Sequence, residues 1–276
     1  MAGMIVAQLS DFHFRSDGIP IKGKVDGAKA LAAALDHIKT LTPGPDLVLV
    51  TGDLIDKSGR PDYGPVKEGL ASLGVPVYAI PGNHDDREAM RTAFADLGYL
   101  PAEGEFLHYT VEGHSLRLIG LDTQVPGTYL GELCPARLAW LEDRLAEAPD
   151  RPTLLFMHHP PFRTGIHFMD RSPFRGAEPF DALLRRHPQV LRLLCGHLHR
   201  PVEARFGGTV ASTAPAIAFQ MSLDLRPGAE STFVLEPAAC PVFLWRPDTG
   251  LVGHLSPIGD YGPRHPFTSG MTAGTQ

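Results

Sequence analysis

Five short segments of the 276-residue chain place metal-binding side chains directly after apolar runs. They are Asp11-Phe12-His13, Gly52-Asp53, Gly82-Asn83-His84-Asp85, His158-His159 and Gly196-His197-Leu198-His199. Carboxylates, imidazoles and an amide in this mixture suit borderline cations such as Fe, Mn, Zn or Co. Asp11 and His13 stand two residues apart, as do His197 and His199, and alternation along an extended segment puts each pair on one side. One carboxylate can bridge two ions roughly 3.5–4 Å apart, the spacing used in two-metal phosphoryl chemistry. A lone Asp after a strand is usually a turn or cap residue. Five such segments in one chain point to a metal centre instead.

The elements that must position these groups are legible as runs. Residues 4–9, 47–50, 75–80, 153–157 and 190–195 are short, apolar and β-rich, which reads as buried strands. In open sheets ligands gather where strands end. Helical spacing predicts helices over residues 28–41, 63–73, 87–97, 134–146 and 178–186, with Pro135 suited to a first turn. Residues 107–111 and 116–121 predict a hairpin around Glu112-Gly113-His114. After His199, residues 205–212, 231–235, 242–245 and 251–255 predict short strands of a second sheet, with an irregular apolar excursion over 217–241. The tail from Gly262 is rich in Pro, Gly, Ser and Thr and is expected to be poorly ordered at its end. The reading is one structural domain: a catalytic core over 1–205, then second-sheet strands, the excursion and the tail over 206–276.

Taken in order, the five segments resemble the signature blocks of the calcineurin-like metallophosphoesterases: D-x-H, GD, GNH[DE], H and GHxH. Within that superfamily, Ile80-Pro81-Gly82-Asn83-His84-Asp85-Asp86, Phe156-Met157-His158-His159-Pro160-Pro161 and Cys195-Gly196-His197-Leu198-His199 look most like a bacterial branch. That branch holds class III cyclic nucleotide phosphodiesterases and glycerophosphodiesterases. The resemblance implies an α/β fold, a four-layer α/β/β/α sandwich, here with a C-terminal β-rich extension. It implies that Asp11, His13 and His199 hold one metal ion, that Asn83, His158 and His197 hold a second, and that Asp53 bridges both. It places His84 beside the substrate phosphate, ready to protonate a leaving oxygen or stabilise charge, with Asp85 orienting it. Attack would come in line on phosphorus from water activated at the metals. Substrate contacts are expected from Asn83, His84, His159 and His167, although His159 also reads as a residue that tightens its own loop.

The implied activity is hydrolysis of small phosphodiesters. Residues 165–170 and 127–133 look like the cyclic nucleotide group, whereas Phe-Met-His-His-Pro-Pro fits glycerophosphodiesterases equally well. Phosphomonoesterase or protein phosphatase activity is a second enzyme reading. A non-catalytic scaffold is expected to lose ligands or the His after Asn, and none is missing here.

A net charge of -6, with 25 scattered Lys and Arg, argues against a nucleic-acid polymer as partner. A small anion needs no basic surface where bound cations supply positive charge. No run approaches the roughly 20 apolar residues of a membrane span. Met1-Ala2-Gly3-Met4 lacks the basic start of a signal peptide, and three unpaired-looking cysteines suit a reducing compartment, so a cytoplasmic location is expected. An intersubunit disulfide through Cys240 is left open. Phe219, Met221, Leu223, Leu225, Phe233 and Val234 make the excursion apolar and predict an interface in a homodimer or dimer-based oligomer. Gly52, Gly82 and Gly196 are expected to free the backbone before ligands. Asp122 reads as a turn residue, and Arg15 as a phosphate contact or a solvated side chain.

Overall fold

The computed structural model describes residues 3–266, so the end of the Pro- and Gly-rich tail lies outside the described residues. The first part of the chain forms β1 (Met4–Leu9), α1 (Gly27–Thr40), β2 (Leu47–Val50), α2 (Gly64–Ala71), β3 (Val77–Ala79) and α3 (Arg87–Ala93). The middle forms β4 (Tyr109–Val111), β5 (Arg117–Leu121), α4 (Pro135–Ala146), β6 (Thr153–Met157), α5 (His167–Asp170), α6 (Ala177–Arg185) and β7 (Val190–Cys195). The last part forms β8 (Val202–Phe206), β9 (Thr209–Thr213), β10 (Gln220–Met221), β11 (Phe233–Val234), β12 (Ala239–Arg246) and β13 (Gly250–Pro257).

Two large sheets result, ordered β13-β12-β1-β2-β3 and β4-β5-β6-β7-β9-β8, with β10 and β11 as a separate ribbon. β1, β2 and β3 are parallel, and so are β5, β6, β7 and β9. The carboxyl ends of the central strands of each sheet therefore point one way.

Side-chain alternation shows how the layers stack. On β6, Leu154 and Phe156 join the core shared with the first sheet, while Leu155 and Met157 join a second core with α4 and α6. β7 does the same with Leu194 on one side and Leu193 and Cys195 on the other. A period of two is what a strand buried on both faces requires. Helix α1 lays Leu31, Ala34, Leu35 and Ile38 on the first sheet, and Asp26 caps it by accepting from the Lys29 N–H at 3.1 Å. Helix α6 lays Phe180, Leu183 and Leu184 on the second. The order is helix, sheet, sheet, helix. Each fully buried Leu or Phe contributes about 1.5–3 kcal/mol over an exposed one, so the loops at the strand ends stand on a rigid platform.

Three departures from the sequence reading concern the C-terminal third. Residues 205–212 are not one strand: Gly207 and Gly208 take φ of 58° and 85° and turn the chain between β8 and β9. The 205/206 boundary therefore falls inside β8. Strands β12 and β13 do not extend the second sheet. β12 pairs antiparallel with β1 and completes the first sheet, because its buried face fits beside Met4–Leu9. Cys240 lies on β12, fully buried, and burial pushes its thiol up to about 12. That burial within its own chain argues against an intersubunit disulfide at Cys240, and no disulfide forms within the chain.

Candidate metal centre

Every segment singled out by its side chains follows a strand of the platform. Asp11 and His13 follow β1, Asp53 follows β2, Asn83 and His84 follow β3, His158 follows β6, and His197 and His199 follow β7. Their donor atoms converge. The His199 Nδ1–H donates to the Phe219 carbonyl at 2.9 Å, which leaves Nε2 with its lone pair. That lone pair faces His13 Nε2 at 2.9 Å and Asp11 Oδ1 at 3.3 Å. The His158 Nδ1–H donates to the Thr51 carbonyl at 2.8 Å, and its Nε2 faces Asn83 Oδ1 at 3.1 Å and Asp53 Oδ2 at 3.3 Å, where Asp53 favours a positive charge, a proton or a metal ion. Asp53 Oδ2 also lies 3.6 Å from His13 Nε2. Buried acceptors aimed at one another repel unless a cation lies between them. The donor set fits two ions, with Asp53 facing both groups. Ligand atoms of Asp11, His13 and His199, of Asp11, Asp53 and His158, and of His158, His159 and His197 each lie within 4.8 Å of one another.

The backbone is bent to achieve this. Six non-glycine residues among those described have positive φ, and five of them are Asp11, His13, Asp53, His197 and His199. Such conformations cost of order 1–3 kcal/mol each and persist where the surroundings over-determine them. Of the preceding glycines, Gly52 supplies the backbone freedom expected, while Gly82 and Gly196 serve a different need. Only Gly52 has positive φ. At Gly82 a Cβ would run into the Asp53 carboxylate, and at Gly196 into the Ser10 hydroxyl and the Thr51 carbonyl. These two are glycines because ligands pass within contact distance.

A buried polar layer holds the carboxylates. Ser10 Oγ donates to Asp11 Oδ2 at 2.5 Å, Thr51 Oγ1 donates to Ser10, and Gln8 reaches across from β1 to the Cys195 carbonyl at 2.9 Å. The His197 N–H donates to Asp11 and the His84 N–H to Asp53 Oδ1 at 2.8 Å. Burial works to raise Asp11 and Asp53, but neighbouring imidazoles outweigh it and hold both below the usual carboxylate range. Burial pushes His13 and His197 down to about 3, so both present neutral nitrogens. Burial also opposes charge on His158, yet Asp53 beside it lifts it to about 9.

Comparison with known proteins settles the family. Residues 4–201 match the family described as calcineurin-like phosphoesterase. The chain belongs to the calcineurin-like phosphoesterases. A probable glycerophosphodiester phosphodiesterase, GpdQ, of Arcobacter nitrofigilis is 40% identical over 265 residues, covering 96% of this chain and 97% of that one. The 3′,5′-cyclic adenosine monophosphate phosphodiesterase CpdA of Escherichia coli K12 is 32% identical over 264 residues, covering 90% and 94%. Among solved structures, a dimetal phosphatase from Danio rerio superposes with a TM-score of 0.63 at 14% identity, over 93% of this chain and 99% of that one. That likeness shows the fold.

In this phosphoesterase the expected substrate residues separate. Asn83 and His84 line a cleft of about 660 Å³ together with His13, His197 and His199. His159 does not reach that cleft. It is buried, its Nδ1 bonds Thr123 Oγ1 at 2.8 Å, and it lines a neighbouring cavity of about 420 Å³. His167 is exposed on the short α5, whose Phe168 and Met169 face the cleft instead. Asp85 does not touch the His84 ring. Its carboxylate accepts from the Gly82 N–H at 2.8 Å, the Leu54 and Ile55 N–H groups, and the Tyr63 hydroxyl, and so ties the Asn83 loop to the Asp53 loop. Burial, then the charge of Asp53, pushes Asp85 up to about 7.

The carboxylate nearest the His84 ring is Asp56, with Oδ2 3.9 Å from both His84 Nδ1 and His13 Nδ1. Burial works to raise Asp56, and its hydrogen bonds from Ser58 outweigh that. Its signal was present in the sequence as a second acid three residues after Asp53. Asp122 is a fully buried partner of Arg87, and Arg15, which does not line the cleft, pairs with Asp17 and stands 3.8 Å from Asp56 Oδ1. From the same loop as Asp122, Gln124 donates to the Gly82 and Asp85 carbonyls and braces the Asn83 turn.

Proposed function

We propose that this chain is a dinuclear metal-dependent hydrolase of small phosphodiesters, with cyclic nucleotides as the first substrate class. The observation that carries the reading is the pair of facing lone-pair clusters that share Asp53. Asp11, His13 and His199 would hold one ion, Asn83, His158 and His197 the other, and Asp53 both. Two bound ions supply charge neutralisation at the phosphate and acidify the attacking water, to a pKa of about 7 at zinc.

The chain supplies the rest. His84 stands half-buried at the cleft, edge-on to His13 with ring centroids 4.4 Å apart. Its Nδ1 accepts from the Lys57 N–H at 3.4 Å, an arrangement that puts the ring proton on Nε2, available to a leaving oxygen. Asp56 Oδ2 lies 3.9 Å from the same Nδ1 and flanks the ring on that side. Tyr129, Phe168, Phe219 and Phe233 give the cleft aromatic faces for a base, and Ser172, Ser231 and Thr232 give hydroxyls for a sugar. Glycerophosphodiesters are the second reading, favoured by the 40% identity to the Arcobacter nitrofigilis protein named for them.

Mn, Fe, Zn and Co all suit the mixed donors, and a cytoplasmic location fits three free cysteines. Among the described residues no helix is long and apolar enough to cross a membrane. The excursion exposes Leu223, Leu225 and Leu235 at 62%, 60% and 62%, which supports a homodimer or dimer-based oligomer. Light scattering at the 29.9 kDa of one chain would contradict that assembly.

A panel of 3′,5′- and 2′,3′-cyclic nucleotides, glycerophosphodiesters and phosphomonoesters, with added Mn²⁺, tests the activity. The expected result is diester turnover with cyclic nucleotides fastest. Turnover of monoesters alone would overturn it.

A further inference from the structure

The cleft carries a charge pattern opposite to that of the chain. The net charge is -6, yet among the described residues the only carboxylate lining the cleft is that of Asp53, which faces the candidate metal ligands. Lys22 and Arg171 line the same cleft from the 21–25 turn and from the end of α5. Most arginines near the site are neutralised: Arg15 by Asp17, Arg87 by Asp122, Arg200 by Glu236. Among the described residues neither Lys22 nor Arg171 has a carboxylate or hydrogen-bonding partner for its side chain, and both are exposed.

Lys22 has a second mark. Of the six non-glycine residues with positive φ, it is the one outside the ligand set, at φ 51°. The turn around it is closed by the Ile21 N–H to the Val25 carbonyl at 2.8 Å and by the Lys24 and Val25 N–H groups to the Ile21 carbonyl. Glycine or asparagine would occupy this position without that strain. Strained residues that persist cluster at ligand sites.

We infer that Lys22 and Arg171 set the charge preference of the cleft, favouring diesters whose alcohol arm is anionic or neutral over arms that carry an ammonium group. The inference rests on the phosphodiesterase reading. The phosphate charge is taken by the metal centre, so these two cations act on the arm beyond it. A unit charge at contact distance in water changes a rate or equilibrium constant by roughly fivefold. Two cations, and arms that differ by the sign of their charge, give a preference on the order of ten- to a hundredfold.

The test uses p-nitrophenyl phosphodiesters whose second arm is choline, thymidine or a carboxylate-terminated alkyl chain. kcat/KM is measured for the Mn²⁺-loaded wild type, Lys22→Met, Lys22→Gly, Arg171→Met and the Lys22→Met/Arg171→Met pair. The wild type should prefer carboxylate over thymidine over choline. The carboxylate-to-choline ratio should fall about tenfold in the double variant. In the wild type it should shrink between about 50 mM and about 500 mM salt, as screening of exposed charges requires. Lys22→Gly should lower the ratio while leaving the melting temperature unchanged or raised, which a purely structural lysine would not do. Wild-type turnover of bis(p-nitrophenyl) phosphate tests the phosphodiesterase reading by itself. A wild type active on that ester with no charge preference, or a double variant with an unchanged ratio, overturns the inference alone.

Discussion

His158 and His199 are oriented in the same manner, each giving its Nδ1 proton to a backbone carbonyl, but the two carbonyls belong to different regions. Thr51 follows β2 and lies buried between the sheets, so His158 is set by the platform. Phe219 precedes β10 in the excursion, so His199 is set by the segment that also walls the cleft. The Phe219 ring packs on both His199 and His13, with centroids at 4.6 and 5.7 Å. Arg200 fastens the same segment, donating to the Met221 carbonyl and to Glu236, both at 2.7 Å. The proposed second subsite is thus part of the core, while the first depends on a cleft wall with little core of its own. Outer partners of metal ligands are worth about 10–100-fold in affinity, so the difference is measurable.

Asp53→Ala should have the largest effect, because it removes the carboxylate proposed to be shared by both ions. We expect both ions to be lost and turnover to fall by about 10³-fold or more, with the fold retained. Two ions per chain and normal turnover would erase the shared-ligand view. His84→Ala comes next, since His84 belongs to neither subsite. Both ions should stay bound while hydrolysis of alkyl esters falls by about 10²–10⁴-fold and activated aryl esters are largely spared. Equal losses on both ester types would remove its role as proton donor.

Arg200→Ala sharpens the comparison directly. It should weaken one of the two ions by about tenfold and leave the other unchanged, as read by metal titration. An equal effect on both ions would show that the excursion does not single out the first subsite. The smallest expected effect is a null result in the platform. Native protein should expose one reactive thiol, Cys134, and denatured protein three, since Cys195 and Cys240 are buried and burial pushes both thiols up. Chelation should not raise the native count. A rise to three would mean that the metals hold the core together as well as the cleft.

The part of the centre that rests on the platform was legible in sequence for the same reason that it is rigid. Residues 4–9, 47–50, 153–157 and 190–195 became strands at those bounds because an apolar run buried on both faces leaves no other local choice. The ligands follow them at once, so strand ends and donor types sufficed. Asp56, Phe219 and Asp85 act through contacts between residues 20 to 31 positions apart, and their roles leave no local pattern. Strands β12 and β13 looked like more of the second sheet because alternation reports a buried face without naming the neighbour; pairing with β1 decided it. Gly82 and Gly196 looked like turn glycines, and only the position of Asp53, Ser10 and Thr51 shows that space is what they provide.

The central claim is a dinuclear centre whose two ions share Asp53 and together support diester hydrolysis. Metal-free protein titrated with Mn²⁺, with bound metal and bis(p-nitrophenyl) phosphate turnover followed on the same samples, tests it most directly. Turnover should appear with the second ion and saturate at two ions per chain. Full activity at one ion per chain, or two bound ions without turnover, would contradict it.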